Sequence, residues 1–107
     1  MRRGEVWWAD LPPPTGRRPV VLLSRDTAYR SRSSVTLAPL TRTVRGLPVE
    51  VRLSSQDGVP VASVVNLDNV MTVPKRLLRS HITTLSEEKM RQVVEAIDFA
   101  LDLDANR

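Results

Sequence analysis

Pro19-Val20-Val21-Leu22-Leu23-Ser24 decides the fold class. The run is apolar at consecutive positions, carries β-branched residues and is too short for an ordinary packed helix. It reads as a β-strand buried on both faces. On its N-terminal side, Pro12-Pro13-Pro14-Thr15-Gly16-Arg17 cannot join a sheet, because successive prolines offer no N–H to a ladder; it is an extended loop. Before that loop, Glu5-Val6-Trp7-Trp8-Ala9-Asp10-Leu11 reads as a first strand. Its adjacent tryptophans point to opposite sides, so at most one is exposed, and packing is expected of both rather than stacking on a base.

C-terminal to the deciding run, Ser33-Ser34-Val35-Thr36-Leu37-Ala38-Pro39-Leu40-Thr41 alternates as a third strand, with Pro39 implying an edge or a bulge. Val49, Val51 and Leu53 alternate with Glu50 and Arg52 as a half-buried strand. Ala62–Leu67 and Asn69–Val73 read as two more. Val44–Leu47 and Gln56–Gly58 are turns, Pro74 starts a short helical turn, and Ile82–Leu85 makes a last short strand. Ser86 then N-caps a helix with Glu87 and Glu88 in its first turn. Met90, Val93, Val94, Ile97 and Leu101 form its apolar stripe, and Arg91, Glu95, Asp98 and Asp102 its other face. The expectation is one domain over residues 1–107, mainly β (α+β): a small barrel or strongly bent sheet of short antiparallel strands, closed on one side by the C-terminal helix.

The 107 residues carry a formal charge of +4, distributed unevenly. Residues 1–54 hold ten basic residues, all arginine, against four acids; residues 55–107 hold six against eight. Arginine's planar fork suits phosphate and base edges, so a polyanion partner and a merely solvated arginine-rich surface both remain open at this point. There is no cysteine, which removes disulfides and thiolate metal sites. No stretch resembles a signal peptide or membrane span, so a soluble, cytoplasmic protein away from membranes is expected.

Most enzyme classes find no support. Acids in the basic half are scattered singly, so neither a metal nor another cofactor is expected. His81 is the one histidine, which rules out a two-histidine acid–base mechanism. Neither a phosphate-binding Gly-x-x-x-x-Gly-Lys loop nor a Gly-x-Ser-x-Gly elbow occurs.

Five segments, in order, resemble the MazF/PemK toxins: Gly4–Leu11, Arg18–Ser24, Thr36–Thr41, Asn66–Lys75, and Leu85-Ser86 with the closing helix. The resemblance implies an SH3-like or CcdB-like barrel that forms a homodimer. It further implies a metal-independent endoribonuclease that cuts single-stranded RNA at short sequences, leaving 2′,3′-cyclic phosphate and 5′-hydroxyl ends. A cognate antitoxin would block the RNA groove with a disordered C-terminal segment. By position, the catalytic arginine is Arg18 and the catalytic threonine Thr41. Thr15, Gly16, Arg17, Arg42 and Asn69 are the RNA-binding candidates, with backbone groups of Thr15 and Gly16 offered to phosphate or base edges. This chain departs from the pattern in its short first loop, in Asn69 where glutamine is common and in Met71 where arginine is common; altered cleavage specificity is the consequence expected. Two other readings remain: a gyrase-binding toxin of the same fold, disfavoured because the only tryptophans stand at 7 and 8, and an inactive binder of RNA or antitoxin.

Overall fold

Seven strands and a C-terminal helix realise this pattern in a computed structural model that describes residues 1–103. Residues 104–107, the end of the expected domain, lie outside the described residues. The strands are β1 (Glu5–Asp10), β2 (Arg17–Leu22), β3 (Ser34–Thr41), β4 (Glu50–Leu53), β5 (Ser63–Asn66), β6 (Met71–Pro74) and β7 (Leu78–Thr84). The helices are a single turn α1 (Ala28–Ser31), which the sequence did not suggest, and α2 (Glu87–Leu101). All pairings are antiparallel, in the order β4-β5-β3-β2-β1-β7, with β6 also on β3.

β3 is the hub. It pairs with β2 on one side; on the other, Ser34–Leu37 pair with β6, and Leu40 and Thr41 pair with β5. Pro39 therefore lies neither on an edge strand nor at a bulge. It is buried in the central strand, at the gap where β3 passes from one partner to the next. Leu23 N–H donates to Thr36 O at 2.9 Å. Hydrogen-bonding pairs alternate along an antiparallel ladder, so this bond sets Pro39 with its N–H-less side away from β2. A residue with no N–H fits the one place in this strand where no ladder asks for one.

The deciding run is buried on both faces. Val21 packs with Val6, Ala38 and Leu40 in one apolar cluster, while Val20 and Leu22 pack with Ala9 and Leu37 in another. α2 covers the first and Tyr29 of α1 the second. Ser86 Oγ caps α2 by accepting from Lys89 N–H at 3.1 Å, a bond worth about 1 kcal/mol. The inward stripe differs from the expected one. Val93 and Ala96 are buried, with Met90, Ile97 and Ala100 against the core, whereas Val94 and Leu101 are 44% and 58% exposed. Small alanines let the helix approach closely, which turns the bulkier residues outward. Lys89 Nζ donates to Arg52 O at 2.9 Å and lies 3.9 Å from Asp57 Oδ2, tying α2 to β4 and the turn after it.

Other boundaries shift for local reasons. β7 begins at Leu78, earlier than Ile82, because Arg79, Ser80 and His81 face solvent on an outer strand and show no apolar alternation. Asn69 closes a 3₁₀ turn (Leu67–Asn69) instead of opening a strand: Asn66 Oδ1 accepts from Asp68 N–H at 2.9 Å and curls the chain there. Pro74 ends β6 immediately before the 3₁₀ turn Lys75–Leu77.

At Gly58 the chain crosses β7 tightly. Its φ is +90°, and an added Cβ would sit 2.4 Å from Thr83 Oγ1. Gly16 has a comparable φ of +70° with nothing within 4 Å. Gly58→Ala is therefore expected to destabilise the fold by about 3 kcal/mol, combining left-handed strain with overpacking, and Gly16→Ala by about 1 kcal/mol. Urea unfolding of both variants at constant m-value checks the difference; equal losses would refute the close crossing.

Candidate functional site

The β2–β3 register builds the site. Val20 stands opposite Pro39, and two more steps along the same antiparallel register bring Arg18 opposite Thr41. Both line a pocket of about 510 Å³. Arg17, Arg18 and Pro19 form one wall; Leu40, Thr41, Arg42 and Thr43 form the next. Trp8 comes from β1, Pro60 and Val61 from the approach to β5, and Ser63 from the start of β5 itself.

Arg18 is half-buried and held by backbone. Its Nη2 donates to Thr15 O at 2.9 Å and its Nη1 to Leu40 O at 3.4 Å. No acidic side chain neutralises it through an ion pair among the described residues, and its Nε–H is buried without an acceptor. Two carbonyls therefore fix the plane of a guanidinium whose positive charge stays uncompensated. Thr41 Oγ1 accepts from Thr43 N–H at 3.2 Å. A hydroxyl that spends a lone pair this way still has its proton to donate.

Arg17 is tethered differently. Its guanidinium carbon lies 5.8 Å from the centroid of the Trp8 ring, in cation–π range. Its Nε lies 3.9 Å from Asp10 Oδ1, and Arg79 Nε donates to the other Asp10 oxygen at 2.6 Å. The pocket thus gathers a fixed cation, a second cation over an aromatic face, two threonines and the exposed Arg42. Among the described residues, no three of His, Cys, Asp and Glu come together as a metal site, and no helix is long and apolar enough to cross a membrane.

Four of the expected residues, Arg17, Arg18, Thr41 and Arg42, line this one pocket. Thr15 and Gly16 do not, and their backbone groups are already engaged. Both N–H groups donate to Pro12 O, Thr15 O accepts from Arg18, and Gly16 O accepts from Leu11 N–H. They shape the loop that holds Arg18. Asn69 lies outside the pocket, exposed on its 3₁₀ turn. Trp8, Thr43 and Ser63 line the pocket beside the expected residues. The doublet Trp7-Trp8 contained the signal for Trp8: Trp7 turns away, edge-on to His81 at 5.9 Å with its indole N–H on Glu5 Oε1 at 2.9 Å. Glu5 itself is pushed up by burial, but the indole N–H and the Arg2 amide outweigh this and hold it below its ordinary value. Ser63, a nine-tenths-buried hydroxyl in a run of valines, carried no local cue.

A family model described as PemK-like, MazF-like toxin of type II toxin–antitoxin system matches residues 2–101. The protein named "Probable endoribonuclease MazF5" of Mycobacterium tuberculosis is 43% identical over 101 residues, which cover 94% of this chain and 92% of that protein. The solved Mycobacterium tuberculosis toxin MazF-mt6 superposes with a TM-score of 0.84 at 36% identity, covering 92% of this chain and 96% of its own. A mycobacterial endoribonuclease solved in complex with its cognate antitoxin superposes with a TM-score of 0.86 at 28% identity, with 96% of each chain covered.

The two indoles report on the pocket separately. Titration with a single-stranded oligodeoxynucleotide is expected to shift the Trp8 indole N–H resonance and to leave that of Trp7 in place, and Arg18→Ala should weaken binding at least about tenfold. A larger shift at Trp7 than at Trp8 would move the ligand away from this pocket.

Proposed function

The chain belongs to the PemK-like, MazF-like toxins of type II toxin–antitoxin systems, and from that premise we propose that it is a metal-independent, sequence-selective endoribonuclease acting on single-stranded RNA. The observation that carries this reading is the pairing of Arg18 and Thr41 in one pocket, with the guanidinium fixed by Thr15 O and Leu40 O.

In the proposed reaction the 2′-hydroxyl of the RNA attacks the adjacent phosphorus, and the bond to the 5′-oxygen of the next nucleotide breaks. The 2′-hydroxyl loses its proton, the departing 5′-oxygen gains one, and the products are a 2′,3′-cyclic phosphate and a 5′-hydroxyl end. No water is consumed. The protein's task is to stabilise charge growing on the phosphoryl oxygens. Arg18 supplies preorganised N–H donors, and a phosphoryl oxygen against the guanidinium gives its orphaned Nε–H an acceptor. Thr41 donates its hydroxyl proton to the same phosphate. A guanidinium gives up its proton too reluctantly to serve as a base, so Arg18 acts here as a clamp. Arg17 on Trp8 and the exposed Arg42 hold the flanking backbone. The partners in this reading are RNA, a second copy of the chain and a cognate antitoxin that covers the groove; the antitoxin complex of the mycobacterial relative supports the last.

Incubation with mixed-sequence RNA in excess EDTA is expected to give discrete cuts with 5′-hydroxyl ends. Arg18→Ala should slow cleavage by about 10²–10³-fold, the usual loss for one oxyanion donor, at an unchanged unfolding midpoint. Inhibition by EDTA, or 5′-phosphate ends, would overturn the mechanism.

A further inference from the structure

Thr41 ends β3, and the next seven residues, Arg42–Pro48, are all exposed. The described polar contacts fasten this loop at two places. One is the bond from Thr43 N–H to Thr41 Oγ1. The other is Glu50, the first residue of β4, whose own N–H donates to Leu47 O at 3.0 Å and whose carboxylate adds the remaining bonds. Its Oε1 accepts from the N–H groups of Arg45 at 3.1 Å, Gly46 at 2.7 Å and Leu47 at 3.1 Å, and its Oε2 accepts from Arg45 N–H at 3.1 Å. Three successive backbone N–H groups converging on one carboxylate form an anion nest. Burial pushes the Glu50 carboxyl up, but the amides of Leu47, Arg45 and Gly46 outweigh it and hold it below the usual carboxylate range.

The side chain of Glu50 is not needed for its strand. β4 pairs with β5 through backbone, with Glu50 opposite Asn66 and Val51 opposite Val65, and Val51 and Leu53 fill the core. What the carboxylate organises is the loop that leaves Thr41 and carries Arg42 and Thr43 along the pocket wall.

We propose that Glu50 is a positioning residue for Thr41: by closing the nest over residues 45–47 it holds the loop so that Thr43 N–H stays on Thr41 Oγ1 and the hydroxyl proton is aimed into the pocket. This rests on the RNA-cleaving reading above. A free loop would let the Thr41 side chain rotate, and a small misplacement of a donor costs rate far more than it costs binding. The atom distribution also predicts which substitution is tolerated. Oε1 takes three of the four bonds, so an amide oxygen at the same place retains most of the nest.

The test is a double-mutant cycle of single-turnover cleavage on one defined RNA. Glu50→Ala is expected to lower the rate about 10–100-fold with KM changed less than about threefold, and Glu50→Gln to restore it to within about fivefold of wild type. Combining Glu50→Ala with Thr41→Ala should be no slower than Thr41→Ala alone, because both remove the same donor. Amide exchange at Arg45, Gly46 and Leu47 should accelerate in Glu50→Ala while the core strands keep their protection. Should the alanine variant not fold, the same cycle on Glu50→Gln, with its smaller rate loss, carries the test. The proposal falls if Glu50→Ala cleaves at the wild-type rate, or if it slows the Thr41→Ala enzyme by the factor it imposes on wild type. A wild-type protein that cuts no RNA overturns the activity reading and this one together; additive losses in an active enzyme overturn this one alone.

Discussion

The register between β2 and β3 is the constraint on which the rest depends. Val20 opposite Pro39, Val21 opposite Ala38 and Leu22 opposite Leu37 place alternate residues into two separate apolar clusters. A slip by one residue would send each side chain into the other cluster, among neighbours it does not fit. The same register carries Arg18 to Thr41 at the far end of the pair. Core and site are thus set by one choice, and the apolar residues that enforce it need no knowledge of the chemistry. Pro39 adds a second restriction. Lacking an N–H, it marks where β3 hands over from β6 to β5, and past that point the strand delivers Thr41 beside Ser63 and Pro60.

The electrostatics follow a similar economy. An arginine fixed by acids would be rigid but neutralised. Arg18 is instead fixed by the carbonyls of Thr15 and Leu40, which orient it through dipoles and leave its charge available. Arg17, one residue earlier, has the opposite arrangement: Asp10 shares its charge and the Trp8 ring lies within cation–π range of it. Two adjacent arginines therefore have distinct capacities, the first suited to lying against an extended chain and the second to gripping one phosphate.

Much of this was legible in the sequence. The apolar run of β2, the alternation of β3 and β4 and the capped helix α2 are local patterns, and tertiary packing did not override them. Family resemblance points to Arg18 and Thr41, and the structure brings both to one pocket; periodicity alone does not separate them from Arg17 or Thr43. What stayed hidden depended on contacts distant in the chain or on backbone. The start of β7 is hidden because an outer strand bearing Arg79 and His81 lacks the alternation of an inner one. The inward stripe of α2 is hidden because Ala96 and Ala100 look neutral beside Val94 and Leu101. Nothing in the residue types of Thr15 and Gly16 reveals that their backbone groups bond to Pro12, Leu11 and Arg18.

α2 follows every strand in the chain, yet Val93 and Ala96 are integral to the cluster around Val6, Val21 and Leu40. Lys89 also fastens the helix to β4. A nascent polypeptide that has emerged only as far as Thr84 holds a sheet with one apolar face open to water, so burial of that face waits for the last turns of the helix to be synthesised. The pocket's two walls meet through strands packed on that same face. The chain thus acquires its completed site only when translation has delivered α2, and an abortive product ending before the helix would be a poorly folded fragment rather than a small working nuclease.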